Sequence, residues 1–266
     1  MSPGGLAGRA GTSALCAVAA VALLAGLGAG IARGERSQYG NVIASLRGGF
    51  SPIKLPRREP APVRVHLEGS LETADGQTLP RVTEIELGLP VQGIINTRGL
   101  PTCPLSRLRD TTPKQALQVC EGALVGSGKI EAEVLLPDQT PFRVDADLLA
   151  FNGRLGGQRA VFLHAFALKQ LTVIVLPFVI SHANGRFGTR LSAVLSRELG
   201  PWPHFARFDM TFARQFSYRG KSHSYLSAAC PIPPRVTTGY FSFARSTYTL
   251  EDGSKIETGI TRSCHA

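Results

Sequence analysis

The fold class predicted by this sequence is all-β: an antiparallel β-sandwich with one short helix, the alternative closure being β-barrel-like. Three observations predict it. Apolar and polar residues alternate with a period of two over several stretches. Turn-forming pairs such as Asn184-Gly185 and Asp252-Gly253 punctuate them. One segment alone carries helix signals, so the strands do not alternate with helices as a parallel sheet demands.

The chain starts with an apolar targeting helix. Residues 12–32, TSALCAVAAVALLAGLGAGIA, hold no charge; Arg9 precedes them and Arg33, Glu35 and Arg36 follow. A short basic start, an apolar run and small residues at its end describe a secretory signal. Gly30-Ile31-Ala32 supplies a small-x-small cleavage site, and the run is also long enough to span a bilayer if kept. Residues 1–32 therefore read as a signal peptide or a signal anchor. Cys16 lies inside the run behind Leu15, where a lipidated cysteine has a small residue, so it counts as a small apolar side chain.

Residues 33–62 are rich in Gly, Pro and Arg and end in SPIKLPRREPAP, the composition of an extended arm. Tyr39, Val42, Ile43 and Leu46 could dock a short piece of it. The β domain is expected over 63–266. Val63, Val65 and Leu67 alternate with Arg64, His66 and Glu68, after which Asp75-Gly76 turns the chain toward Ile85, Leu87 and Leu89. Thr112 is a good N-cap and Pro113 suits a first helical position, with Ala116, Leu117, Val119 and Cys120 following. Ile130, Ala132 and Val134 form the next inward set, then Phe142, Val144, Ala146 and Leu148. Asn152-Gly153 is a hairpin pair. The run LTVIVLPFVIS (171–181) is apolar on both faces, as a central strand is, and Pro177 demands a bend or an edge there. Further strands are expected over 205–212, 216–229, 240–250 and 254–261.

Net charge is +10, which favours anionic partners. The basic residues are dispersed except for Arg57-Arg58 beside Lys54, so an envelope polymer or lipid headgroups would be met through the arm. No basic run is interleaved with aromatics, and no nucleic acid is expected. Cys103, Cys120, Cys230 and Cys264 remain beyond the leader, an even number that reads as two disulfides in an exported chain. Of three pairings, Cys103–Cys120 and Cys230–Cys264 each flank a local unit and close a modest loop. Without a Cys-x-x-Cys pair, zinc is not expected.

Chemical signatures are sparse. Gly126-Ser127-Gly128-Lys129 looks like a phosphate loop, yet Ala123 and Ile130 stand where that loop needs Gly and Ser or Thr, which leaves a strand-entry turn. No Gly-x-Ser-x-Gly elbow occurs. Asp145 and Asp147 share a strand face, suited to calcium or acid–base work but equally to a solvated face. His164 falls between Phe162 and Phe166, the setting of a structural histidine. His223 and Tyr225 share a face and could line a shallow polar groove. Trp202, in GPWPHF, is either a loop plug or a binding aromatic. No cofactor or metal is expected.

GGFSPIKLPRREPAPV (48–63), GLPTCP (99–104), ALVGSG (123–128), LLAFNGR (148–154), PFVISHANGRFGT (177–189), SYLSAACP (224–231) and TRSC (261–264) together resemble a family of exported, β-rich proteins of soil actinobacteria. The resemblance spans nearly all of the chain beyond the leader. It implies export and the two disulfides, and carries no activity with it. The functional expectation is a non-enzymatic β domain, secreted or held on the outer face of the membrane, that binds or structures something at the envelope. The alternative is a hydrolase drawing its acid–base pair from Asp145, Asp147, His164 or His223.

Overall fold

Alternation of the predicted kind builds one large sheet. The computed structural model describes residues 35–195 and 201–266; the segment 1–32, expected from sequence to be a targeting helix, lies outside the described residues. The strands are β1 (Arg36–Tyr39), β2 (Val42–Ser51), β3 (Ala61–Pro62), β4 (Arg64–Thr73), β5 (Val82–Pro90), β6 (Gly93–Ile95), β7 (Leu124–Val134), β8 (Phe142–Leu155) and β9 (Gln158–Ala167). After them come β10 (Thr172–His182), β11 (Phe187–Val194), β12 (Pro203–Phe212), β13 (Gln215–Tyr218), β14 (Lys221–Ser224), β15 (Leu226–Ala228), β16 (Thr238–Leu250) and β17 (Lys255–His265). Among the described residues one α-helix, α1 (Pro113–Cys120), interrupts them, with a short 3-10 turn before it (Leu105–Arg107) and another after it (Glu121–Ala123).

Twelve of these strands form a single antiparallel sheet in the order β1-β2-β4-β12-β7-β8-β9-β10-β11-β5-β16-β17. Its two ends meet, so the sheet is nearly closed. Arg262 in β17 donates Nε to the Gly48 carbonyl at 2.6 Å and pairs through Nη1 with Glu35 at 2.7 Å. Just past β2, Leu55 donates to the His265 carbonyl (2.7 Å) and His265 to the Ile53 carbonyl (2.9 Å). The barrel-like alternative is thus the closure adopted by the all-β chain. Register shifts in β7, β11, β12 and β16 mark bulges, which raise the local twist and bend the sheet round.

Three expectations are corrected. Of the extended arm expected over 33–62, the described residues from 35 on belong to the sheets: β1, β2 and β3 lie there, and Val42, Ile43, Ala44 and Leu46 are buried. Asp75-Gly76 does turn the chain, but β4 and β5 do not pair; β5 crosses to lie between β11 and β16. Asn152-Gly153 turns nothing. Asn152 is buried in β8 and donates to the Pro101 carbonyl at 2.8 Å, while a Cβ on Gly153 would stand 2.3 Å from the Phe162 ring. The hairpin falls instead at Gly156-Gly157, both with positive φ, the conformation a two-residue turn requires. Asn184-Gly185 and Asp252-Gly253 turn as expected.

The helix forms where Thr112 and Pro113 start it. Thr112 Oγ1 accepts from the Gln115 amide and the Gln115 side chain accepts from the Thr112 amide, a reciprocal cap. The disulfide Cys103–Cys120 (Cα–Cα 5.5 Å) ties the helix to the loop before it. This layer covers the outer faces of β8, β9 and β10, burying Leu108 and Ala116 against Phe151, Phe162 and Val175. That is why 171–181 is apolar on both faces. Pro177 lies before the β10–β11 ladder starts at Val179, so its missing N–H interrupts only the free side of β10. At the other end of the barrel, the three-stranded sheet β3-β15-β6 packs Leu226 and Ile95 into the core. Cys230–Cys264 (Cα–Cα 5.9 Å) fastens the neighbouring loop to β17. Two disulfides fit a non-reducing compartment.

An apolar cavity as the candidate functional site

The interior of the barrel is filled on one side and hollow on the other. On the filled side Leu46, Leu71, Tyr248 and Ile256 have at most 2% of their surface exposed. Tyr248 reaches from β16 across to Phe205 of β12, where the rings stack at 5.6 Å. It can do so because position 69 is glycine: a Cβ there would meet the Tyr248 hydroxyl at 2.8 Å. Burial pushes the Tyr248 phenol up to about 12, so it stays neutral and acts as filler.

On the hollow side, inward positions carry small or modest side chains. Ala132 in β7, Ala146 in β8 and Ala165 and Ala167 in β9 leave a cavity of about 510 Å³ bounded by β7, β8, β9, β10 and β12, with Leu67 of β4 and Ile85 and Leu87 of β5 facing it. Ile130, Val134, Val144, Leu163 and Ile174 point into it and stay half-buried, though they stand on the face that alternation directs to the core. The lining is apolar throughout its depth. Gln170, Thr172 and the indole of Trp202 supply polar groups, all three at the end where β9 gives way to β10 and β12 begins. Among the described residues, no Asp, Glu, Lys, Arg or His lines the cavity. What such a space accepts is hydrocarbon, with a polar group tolerated at its mouth. A second space of about 80 Å³, also apolar, lies toward the β3-β15-β6 end, beside Phe50, Phe212 and Tyr225.

Of the residues singled out from sequence, Trp202 is at this site. Tyr225 is fully buried against Phe212 at the opposite end; burial raises its phenol far above the ordinary value, and its hydroxyl has no hydrogen-bond partner among the described residues. His223 lies in the β13–β14 hairpin, its ring on Phe216 and Tyr218. The two therefore do not line a common polar groove: β14 ends at Ser224 and the chain turns Tyr225 into the core.

The acid–base candidates are not gathered either. Asp145 and Asp147 sit on the exposed outer face of β8, opposite Glu131 and Lys129. His164 is buried beneath the helix layer, where its Nε2–H donates to the Thr111 carbonyl at 2.7 Å. Burial lowers its pKa, and the ring is held neutral. Gly126–Lys129 is not a turn but part of β7, where a Cβ on Gly128 would stand 1.9 Å from the Asp209 carbonyl oxygen. Arg57 of the basic cluster is engaged in the fold, donating to the carbonyls of Ile232, Pro233 and Val236 at 2.7–2.9 Å. No group of residues with metal-binding geometry occurs among the described residues.

Alternation places the lining residues of β4, β5, β7 and β8 inward, such as Leu67, Leu87, Ala132 and Ala146, but it does not assign those of β9, β10 and β12, and nothing in it announces a void. The one trace in the sequence is the alanine recurring on the inner faces of β7, β8 and β9. Compared with family models, curated proteins and solved structures, the chain matches none.

Proposed function

We infer that this chain is an exported binding protein that houses one long apolar chain of a lipid-like amphiphile in the barrel. The polar end of the ligand stays at the mouth, beside Gln170, Thr172 and Trp202. The observation that carries this reading is the set of inward apolar side chains left half-buried on β7, β8, β9 and β10. Apolar surface turned inward and left uncovered forfeits about 25 cal/mol per Å² together with its dispersion contacts. A bound acyl chain restores both. An apolar cavity of about 150 Å³ takes one benzene, or about 25 Å³ per carbon. On that scale about 510 Å³ holds about twenty carbons. Support for export comes from the apolar run at 12–32 and from the two disulfides.

The test is displacement of a fluorescent fatty acid from the purified chain in vesicle-free buffer. Saturable uptake is expected, with chains of about twelve to twenty carbons competing and short acids failing. Ala146→Phe and Ala132→Leu fill the space from two walls, and each is expected to weaken uptake at least about tenfold with the melting temperature held or raised. A wild-type chain that takes up no amphiphile saturably would contradict the reading.

A further inference from the structure

The mouth of the cavity carries apolar groups outside the barrel as well as within it. β9 and β10 are joined by the turn Leu168–Leu171, and both leucines stand in solvent, 71% and 75% exposed. Leu171 has φ +49°, the left-handed region where an exposed turn ordinarily carries glycine or asparagine. Its amide donates to the Leu168 carbonyl at 3.4 Å, closing the turn. A leucine in this position costs the chain backbone strain and apolar exposure together, a combination that collects at functional surfaces.

The neighbours of these leucines, Ala167, Gln170 and Thr172, line the cavity, so the exposed tip stands beside its mouth. Trp202, the only tryptophan in the chain, lines the same cavity and keeps 44% of its surface exposed. An indole, apolar over its rings and polar at its N–H, suits the boundary between water and lipid. Lys169, between the leucines, can send its ammonium outward while its stem stays with them. Moving each methylene from water to hydrocarbon is favoured about fourfold. A ligand of about twenty carbons therefore resides in a lipid assembly, not as a monomer in water.

We propose that this rim docks on a lipid bilayer, with Leu168, Leu171 and the rings of Trp202 entering the boundary between headgroups and acyl chains. The hydrocarbon chain then passes between bilayer and cavity without crossing water. This purpose rests on the binding function above; the docking surface itself does not. Lys169 and Asp138, at the tips of adjacent hairpins, are of opposite sign. Docking is accordingly by apolar insertion and changes little with salt.

The experiment uses the full chain, vesicles of phosphatidylcholine with brominated acyl chains, and the emission of Trp202. Bromine quenches at contact range, so other segments that hold the protein on a vesicle do not report. Ala146→Phe serves as background to keep brominated chains out of the cavity; Ala132→Leu replaces it if that variant does not fold. Vesicles are expected to quench and blue-shift the emission at low and high salt alike. Leu168→Ser with Leu171→Ser is expected to raise the vesicle concentration needed about tenfold. With Ala146 retained, the double variant should bind fluorescent fatty acid in vesicle-free buffer as the wild type does. Emission untouched by vesicles, quenched equally in the double-serine variant, or released at high salt would overturn the docking. Fatty-acid binding without quenching leaves the cavity reading standing and removes this one. Quenching without fatty-acid binding does the reverse.

Discussion

His164 shows how a single buried polar residue makes stability depend on pH. Its Nε2–H donates to the Thr111 carbonyl at 2.7 Å, and its Nδ1 has no hydrogen-bond partner among the described residues, an arrangement that fits the neutral ring and not the cation. Burial sets the folded pKa below the ordinary value of about 6.5. The unfolded chain then binds the proton more readily than the folded one, so stability rises with pH. The contribution is complete above about 6.5 and is lost as pH falls toward the lower folded value. His164→Gln keeps a donor for Thr111 without titrating. Urea midpoints measured from neutral to mildly acidic pH should fall less steeply for this variant than for the wild type; equal slopes would show that His164 is not the titrating group. The Phe162–Phe166 setting already marked His164 as structural. The partner Thr111 was not legible, because it comes from a loop 53 residues away.

The helix layer is the clearest case of an element specified by its own residues. Thr112 and Pro113 start α1, Gln115 completes the cap, and the disulfide fixes its far end. Thr112→Ala should cost about 1 kcal/mol, read as a lower urea midpoint with an unchanged slope. Fatty-acid uptake should not change, since α1 packs on the outer faces of the strands and contributes nothing to the cavity wall. Strands were legible to the same degree wherever one face is solvated, as in β4, β5, β7 and β8. The failures have a common cause. β2 contains Gly48 and Gly49 and leads into prolines, so local composition suggests an arm while barrel closure makes it a strand. Asn152-Gly153 has the residues of a turn, yet Phe162 needs the space above Gly153 and Pro101 accepts the Asn152 amide. In both, long-range packing overrides a local preference.

At the scale of the whole molecule, the decisive feature is the unequal filling of one curved sheet. Tyr248, Leu46, Leu71 and Ile256 occupy one side, while alanines on β7, β8 and β9 leave the other empty, with Phe205 between the two. Alternation shows which side chains face inward, and it did so for Ile130, Ala132, Val134, Val144 and Ala146. It does not show how far apart the facing walls stand, because that distance follows from strand number, bulges and closure between β2 and β17. The same reasoning gives the binding function a quantitative signature. A chain of methylenes entering an apolar cavity gains about 0.8 kcal/mol for each one buried, until the space is full. Calorimetric titration of the wild-type protein with saturated fatty acids of increasing length, each kept below its own aggregation threshold, measures this directly. Affinity should climb about fourfold per methylene and level off near about twenty carbons. Affinity that ignores chain length, or no heat of binding for any length at either of two well-separated temperatures, would contradict the assignment of the cavity to a hydrocarbon chain.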